Sequence, residues 1–174
     1  APSSNKRTDR YGGSPVKRAQ FPIEVTKAVV DAIGADKVGV RLSPQHNVQG
    51  ALEPDLEETR ATYLEYARFA AEADLAFLDV IYGDPTSELV AGIRKAFGGP
   101  FILNNGFDRV TTREEALEIV EGDCADAVSV GRAALANPDL ARRWQEGLPV
   151  NEPVQSTFYA KGELGYTDYP FYEG

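Results

Sequence analysis

The chain has 174 residues, 43% of them hydrophobic and 26% charged, which is the composition of a globular protein with a core of its own. Its formal net charge of -9 and its lack of a recurring basic cluster argue against a nucleic-acid partner. The single cysteine excludes an internal disulfide, and no apolar run approaches the ~20 residues that span a bilayer, so we expect a cytoplasmic protein without a membrane partner.

The first part of the chain predicts a loop, a helix and a strand. Residues 1–14 are polar and rich in glycine, as in a loop, and because no strand precedes them we expect a missing N-terminal half. Apolar residues then recur at helical spacing over 15–34, where Gly34 is a natural end. Over residues 37–44, apolar side chains alternate with others as they do in a strand.

The rest of the chain alternates helices with strands. The first predicted elements are a helix capped by Asp55, a strand at 75–82, a helix at 87–97 and a strand at 101–103. A helix follows that begins with a capping box, either at Thr111 and Glu114 or at Thr112 and Glu115. The last elements are a strand at 127–130 and a helix that begins at Asn137 and Pro138 and ends near Gly147. This alternation predicts a parallel sheet with right-handed crossovers.

Two α/β architectures fit this order of elements. Four strand–helix units make either half of a (β/α)8 barrel or a small doubly wound sheet, and their spacing does not separate the two. A doubly wound dinucleotide domain carries its glycine-rich turn after the first strand, whereas Gly106 and Gly131 follow the last two strands. We therefore expect half of a TIM barrel over residues 15–150, followed by a tail at 151–174.

The same two strand ends predict a phosphate site. Gly106 and Phe107 follow the third strand and Gly131 and Arg132 follow the fourth, which brings backbone N–H groups and a fixed cation to one rim. The simpler explanation is that both glycines only serve strand-end turns. Their pairing on adjacent loops, beside Arg132, favours a phosphorylated cofactor.

Arg41 is the candidate charge inside the barrel. It alternates with Val40 and Leu42, so its side chain points to the interior, where an unpaired cation costs on the order of several kcal/mol. An internal carboxylate and a bound ligand are equally good partners for it. The only histidine, His46, follows the same strand and is expected to be a loop residue, and Cys124 has no companion ligands at the spacing of a metal site.

Five motifs of this chain stand in the order and at the spacing of one known family. They are NKRTDRYGGS at 5–14, VGVRLSP at 38–44, VGR at 130–132, ANPDL at 136–140 and TFYAKGELGYTDYP at 157–170. Together they resemble the Old Yellow Enzyme family of flavin-dependent ene-reductases, over essentially the whole chain but only the C-terminal half of that family's barrel. The chain departs from the family after Ser14, where Val16 and Gln20 replace an acidic residue and an arginine, so a helix-start ion pair is not expected.

The resemblance implies FMN as the cofactor and assigns roles to residues of this chain. Arg41 would lie against the pyrimidine edge of the flavin and stabilise negative charge on the reduced ring. Phe158 would lie near the dimethylbenzene edge, and Tyr159 would lie over the substrate side. The FMN phosphate would be held by Gly106, Phe107, Gly131 and Arg132. Because the tail is rich in aromatic residues, we expect most of them to pack on the barrel.

The resemblance therefore implies half of an ene-reductase, which takes hydride from NADPH or NADH and passes it through flavin to the activated C=C bond of a small alkene. The family's His/Asn or His/His pair and its proton-donating Tyr lie before position 1, so no catalytic residue is assigned to this chain. We expect it to be inactive alone, and to pair with the N-terminal half of the barrel or with a copy of itself.

Two other interpretations stay open. The chain is alternatively a non-catalytic half-barrel that binds FMN or phosphate, or that only assembles with a partner half. It is also compatible with a fragment of another phosphate-binding barrel, such as an aldolase or an isomerase. That last class needs a Lys or paired acids at strand ends, and no Lys stands at such an end in this sequence.

Overall fold

The computed structural model describes residues 1–47 and 50–174, which alternate between helices and strands. The helices are α1 (Pro15–Ile33), α2 (Leu56–Glu72), α3 (Glu88–Phe97), α4 (Arg113–Glu121), α5 (Arg132–Ala136) and α6 (Leu140–Glu146). The strands are β1 (Gly39–Leu42), β2 (Phe77–Ile81), β3 (Phe101–Asn104) and β4 (Ala127–Val128). Short 3-10 turns lie at Ala35–Lys37 and Gln155–Thr157.

The strands form one four-stranded parallel sheet in the order β1-β2-β3-β4. In its register, Arg41 pairs with Asp79, and Leu103 pairs with Val128. Neighbours in this sheet are also neighbours in the chain, so the order does not reverse as it does at the switch point of a doubly wound sheet. The predicted parallel sheet is confirmed, and its strand order is that of a barrel wall.

The core lies between the sheet and the helices that cross over it. Every second residue of β2 and β3 faces these helices, and Leu78, Val80 and Leu103 are completely buried there beside Ile93 of α3. Burial of a side chain of this size contributes about 1.5–3 kcal/mol. The intervening residues, such as Asp79, face the other side of the sheet, which becomes the inner face of the half-barrel.

Side-chain caps set where the helices begin. Ser14, Asp55 and Ser87 each accept a hydrogen bond from the backbone N–H three residues on, at the starts of α1, α2 and α3. At the start of α4, Thr112 and Glu115 each accept a hydrogen bond from the other's backbone N–H. Of the two capping boxes that the sequence allows, the structure contains the second.

The region after β4 differs from the prediction. β4 ends at Val128, the separate helix α5 follows it, and the last helix begins at Leu140 rather than at Asn137 and Pro138. The buried side chain of Asn137 makes other hydrogen bonds. Its Nδ2 donates to the carbonyl of Ala133 at 2.9 Å, and its Oδ1 accepts from a backbone N–H of the tail at 2.6 Å. Its side chain thus closes the end of α5 instead of capping α6.

One side of α1 packs on the fold and the other carries exposed apolar residues. The packed side includes Thr26, whose Oγ1 lies 2.6 Å from the hydroxyl of Tyr66 in α2. The other side carries, at intervals of four residues, an exposed stripe that we call the α1 stripe: Phe21, Val25, Val29 and Ile33. No helix in the described ranges is long and apolar enough to cross a membrane.

Candidate cofactor site

A cleft of about 560 Å³ opens beyond the carboxyl ends of the strands. In α/β sheets and barrels this is the end at which the loops meet and ligands bind. The cleft is lined by every residue for which we predict a binding role, namely Arg41, Gly106, Phe107, Gly131, Arg132, Phe158 and Tyr159. Asn104, Arg109 and Ser129 also line it, although the sequence analysis assigned them no role. The fold therefore brings together residues that are spread over most of the chain.

Arg41 reaches across the inner face of the sheet to two partners. Its Nε donates to Oδ2 of Asp79 at 2.8 Å, and its Nη2 lies 2.6 Å from the same oxygen. Nη2 also donates to Oγ of Ser129 at 2.9 Å. The internal carboxylate, one of the two partners that the sequence allowed, is thus present. Among the described residues, no hydrogen bond uses Nη1 of Arg41.

Asn104 joins the ends of β3 and β4. Its Nδ2 donates to the carbonyl of Ser129 at 2.7 Å, and its Oδ1 accepts from the backbone N–H of Gly106 at 3.1 Å. Gly106 has a φ of +102°, and a Cβ there would lie 3.4 Å from the Cα of Gly83, which explains the glycine. The sequence prediction counted the N–H of Gly106 among the phosphate donors, but this N–H is already bonded to Asn104.

Arg132 ties the loop after β4 to the loop after β3. Its Nη1 donates to the carbonyl of Arg109 at 3.1 Å, and its Nη2 donates to the carbonyl of Phe107. Gly131, directly before it, has open space where a Cβ would point. The described lining of the cleft contains three arginines and no carboxylate, because Arg41, Arg109 and Arg132 are its only charged residues. The cleft is therefore suited to an anion.

The tail closes one side of the cleft. Phe158 is half-buried, whereas Tyr159 is 100% exposed and lies at the mouth. Fewer tail aromatics pack than the sequence predicts, since only Phe158, Tyr169 and Tyr172 are partly buried, while Tyr159, Tyr166 and Phe171 are exposed. The tail is held more by polar contacts than by its rings.

Arg143 of α6 makes the main polar contacts with the tail. Its side chain is 3% exposed and donates to the carbonyls of Pro149 and Pro170 at 2.8 and 2.9 Å. It also pairs with Asp139 at 2.6 Å. Burial tends to raise the pKa of Asp139, but hydrogen bonds from the backbone N–H of Tyr172 and from Arg143 outweigh it and lower that pKa below its usual value.

His46 lies in the loop after β1, as the sequence predicts. Its ring meets the ring of Phe107 edge-on, with the centroids 4.8 Å apart, and its Nε2 lies 3.2 Å from the carbonyl oxygen of Ile81. His46 thus supports the loop that carries Phe107. The sequence reasoning missed Asp79 and Ser129, although an acid inside the apolar run 75–82 was an available signal, because a buried carboxylate is costly without a partner.

Comparisons with known proteins agree with this architecture. The sequence profile of the NADH:flavin oxidoreductase / NADH oxidase family matches residues 1–151. A probable flavin mononucleotide-dependent alkene reductase of Leishmania infantum is 40% identical over 172 residues, which are 97% of this chain and 45% of that protein. A putative 12-oxophytodienoate reductase 5 of Oryza sativa subsp. japonica is 39% identical over 180 residues, with 97% and 46% covered. The chain spans about half the length of the curated relatives it matches.

Solved structures show the same relationship. Morphinone reductase in complex with tetrahydroNAD superposes with a TM-score of 0.86 at 38% identity, covering 98% of this chain and 46% of that chain. The old yellow enzyme from Trypanosoma cruzi gives a TM-score of 0.84 at 36% identity, covering 99% of this chain and 45% of that chain. The predicted resemblance and the predicted half-barrel are both confirmed. The chain belongs to the NADH:flavin oxidoreductase / NADH oxidase family, in its Old Yellow Enzyme branch, and corresponds to half of the family's (β/α)8 barrel.

Proposed function

We propose that this chain is the FMN-binding half of an oxidoreductase that passes hydride from NADPH or NADH, through flavin, to the activated C=C bond of an α,β-unsaturated carbonyl or a similar compound. The observation that carries the proposal is the single cleft that collects every residue predicted to bind FMN, in a chain of a flavin oxidoreductase family. The relatives named alkene reductase and 12-oxophytodienoate reductase support a C=C substrate.

The residues of the cleft fit FMN in charge and in size. A volume of about 560 Å³ lies within the usual range for a cofactor site. Arg132 and the loop of Phe107 would hold the phosphate, and the open space at Gly131 would let a phosphate oxygen approach the backbone. The first-turn N–H groups of α5 have no partners within that helix and add to these donors. Bound flavin supplies the redox chemistry, as a carrier of hydride between nicotinamide and alkene.

The remaining residues of the site orient the ring. Arg41 would direct its Nη1 at the pyrimidine edge and stabilise negative charge there. Phe158 would cover part of the apolar ring, and Tyr159 would face the substrate from the mouth of the cleft. The full exposure of Tyr159 fits a residue whose opposite wall belongs to another polypeptide segment.

The partner in this proposal is the complementary N-terminal half of the barrel, with a second copy of this chain as the alternative. β1 and β4 each have one neighbouring strand in the described sheet, and unpaired strand edges are templates for further pairing. The α1 stripe adds an exposed apolar surface of the kind that marks a contact site. The complementary half would supply the catalytic residues that this chain lacks.

A second candidate function is a half-barrel that binds FMN or phosphate without a redox step. The pairing of Arg41 with Asp79 and Ser129 favours it, because these contacts satisfy the buried carboxylate without any flavin. In this case the cleft would bind the anion without any transfer of hydride.

Turnover of the assembled protein separates the two candidates. FMN binding and the NADPH- or NADH-dependent reduction of cyclohexenone are measured for the chain alone and for the chain with the complementary half. We expect weak FMN binding and no turnover from the chain alone, and tight binding with turnover from the assembly. Tight FMN binding without turnover in the assembly would support the second candidate. Turnover by the isolated chain at the rate of the assembly would contradict the proposal that the catalytic residues belong to the complementary half.

A further inference from the structure

Asp79 is a buried carboxylate directly behind the cleft. It lies in β2, is 9% exposed, and has the completely buried Leu78 and Val80 as its chain neighbours. A carboxylate in such surroundings is costly unless its oxygens are paired. Both oxygens are paired here, because Oδ2 accepts from Arg41 and Oδ1 accepts from Oγ of Ser129 at 3.1 Å.

The parallel register keeps this carboxylate beside Arg41. Arg41 and Asp79 are direct partners on adjacent strands, and both project from the inner face of the sheet. Asp79 therefore binds Arg41 through the bonds at 2.8 and 2.6 Å, while Ser129, directly after β4, bridges to both of them. The guanidinium is thus held by one residue of β2 and by one that directly follows β4.

The two charges of this pair are not equally placed with respect to the cleft. The Arg41 side chain is 49% exposed and lines the cleft, whereas Asp79 lies behind it and does not line it. A ligand in the cleft would therefore contact the Arg41 guanidinium directly, and the Asp79 carboxylate would affect that ligand only through Arg41. At these distances, the carboxylate offsets part of the positive potential that Arg41 presents.

We propose that Asp79 is a positioning residue that holds Arg41 and moderates its charge, and that it thereby sets the relative affinity of this site for reduced and oxidised FMN. The inference rests on the proposed function, in which Arg41 faces the pyrimidine edge of the flavin. Reduced FMN carries more negative charge at that edge than oxidised FMN does. The counter-charge of Asp79 therefore weakens the binding of reduced FMN more than that of oxidised FMN.

The test compares dissociation constants for oxidised FMN and for dithionite-reduced FMN, under anaerobic conditions, with the chain assembled with its complementary half. Asp79→Asn keeps the shape and an acceptor oxygen but removes the charge. We expect the ratio of the oxidised to the reduced dissociation constant to rise about tenfold, which for a two-electron couple raises the flavin potential by about 30 mV. Asp79→Ser, which removes the same charge with a smaller side chain, should also raise the ratio and provides a second variant if Asp79→Asn folds poorly.

The matched control is Asp123→Asn, which removes the same charge from an exposed residue paired with Arg94, a side chain that also bonds Asp126 at the start of β4. We expect it to leave the ratio unchanged. If Asp79→Asn and Asp79→Ser leave the ratio within twofold of wild type, whether or not thermal stability falls, Asp79 is only a structural partner of Arg41 and the inference is wrong. If the wild-type assembly binds neither form of FMN, the proposed function fails and the inference falls with it.

Discussion

Arg41 in β1 donates from Nη2 to Oγ of Ser129, which follows β4, over 2.9 Å. Neighbouring strands lie about 4.8 Å apart, so a flat sheet would separate β1 from β4 by roughly 14 Å. Because even an extended arginine side chain and a serine side chain together fall short of this span, the contact indicates that the inner faces of the first and last strands converge. This curvature is what brings residues of β1, of the loops after β3 and β4, and of the tail around one cleft.

If Arg132 holds the phosphate as proposed, Arg132→Ala should weaken FMN binding about tenfold or more, because it would remove a charge-assisted contact. Calorimetric titration with FMN measures the loss, and riboflavin, which lacks the phosphate, should bind with the same affinity to wild type and variant. The matched control is Arg68→Ala on α2, an exposed arginine paired with Glu65. Unchanged FMN affinity in the Arg132 variant would remove this residue from the phosphate site.

The glycines of the two loops should respond differently to alanine. Gly106→Ala forces a side chain into a φ of +102° with a Cβ 3.4 Å from Gly83, so the free energy of unfolding should fall by about 1–3 kcal/mol. Gly131→Ala has open space and no positive φ, so stability should change by less than about 0.5 kcal/mol. The new methyl group would nevertheless enter the phosphate position and weaken FMN binding.

Urea unfolding and FMN titration on the two glycine variants check this contrast. A loss of FMN affinity in Gly131→Ala without a loss of stability supports a phosphate beside this glycine. Full FMN affinity in Gly131→Ala would support the simpler explanation, in which Gly131 only serves the turn after β4.

Much of this fold could be predicted from the sequence because its signals are local. The cap at Asp55 and the box at Thr112 lie within one turn of the residues they bond, and the apolar run 75–82 indicates a buried strand by itself. The start of the last helix was predicted wrongly, because the side chain of Asn137 accepts a hydrogen bond from the backbone N–H of Asn151, 14 residues further on. A local pattern does not contain such a contact.

Some residues of the candidate site could likewise be predicted from local signals, and others could not. Gly131 and Arg132 could be predicted from a strand end and a family motif, since both signals lie in a few consecutive residues. Asp79 could have been singled out as an acid in an apolar run, but its contact with Arg41 and that of Ser129 could not be predicted, because they depend on the register of β1 with β2 and on the curvature that brings the end of β4 close.

Arg143→Gln should release the tail while leaving the sheet intact. Arg143 bonds the carbonyls of Pro149 and Pro170 and pairs with Asp139, so its loss removes contacts just before the tail and near its end together. Hydrogen exchange should become about tenfold faster or more over residues 151–172, with β2 and β3 unchanged. The control is Arg142→Gln, the exposed neighbour paired with Glu146. Equal exchange in both variants would show that the tail is held by other contacts.

The same contact predicts how the tail responds to acid. The pKa of Asp139 in the folded protein lies below its unfolded value of 3.8, so the carboxylate stabilises the docked tail at pH values above 3.8. This stabilisation is lost as the pH falls through the lower, folded pKa, because the protonated group no longer pairs with Arg143. Protection of the tail amides against exchange, corrected for the pH dependence of intrinsic exchange, should therefore fall below pH 3.8 in wild type, and Asp139→Asn should already show low protection at neutral pH.

Replacing part of the α1 stripe should weaken assembly without unfolding the chain. Val25 and Val29 are 48% and 40% exposed, so Val25→Ser with Val29→Ser should change the chain's own stability by less than about 1 kcal/mol. If the complementary half covers the stripe, each valine contributes about 1 kcal/mol to assembly, and the double variant should dissociate at least about tenfold more readily. Sedimentation with the complementary half measures this, and sedimentation of the chain alone tests pairing with a second copy. Lys27→Ser, on the same helix but outside the stripe, is the control. Assembly that is equally tight in the double variant and in this control would place the contact surface elsewhere, and the edge of β1 without a neighbour in the described sheet is the next candidate.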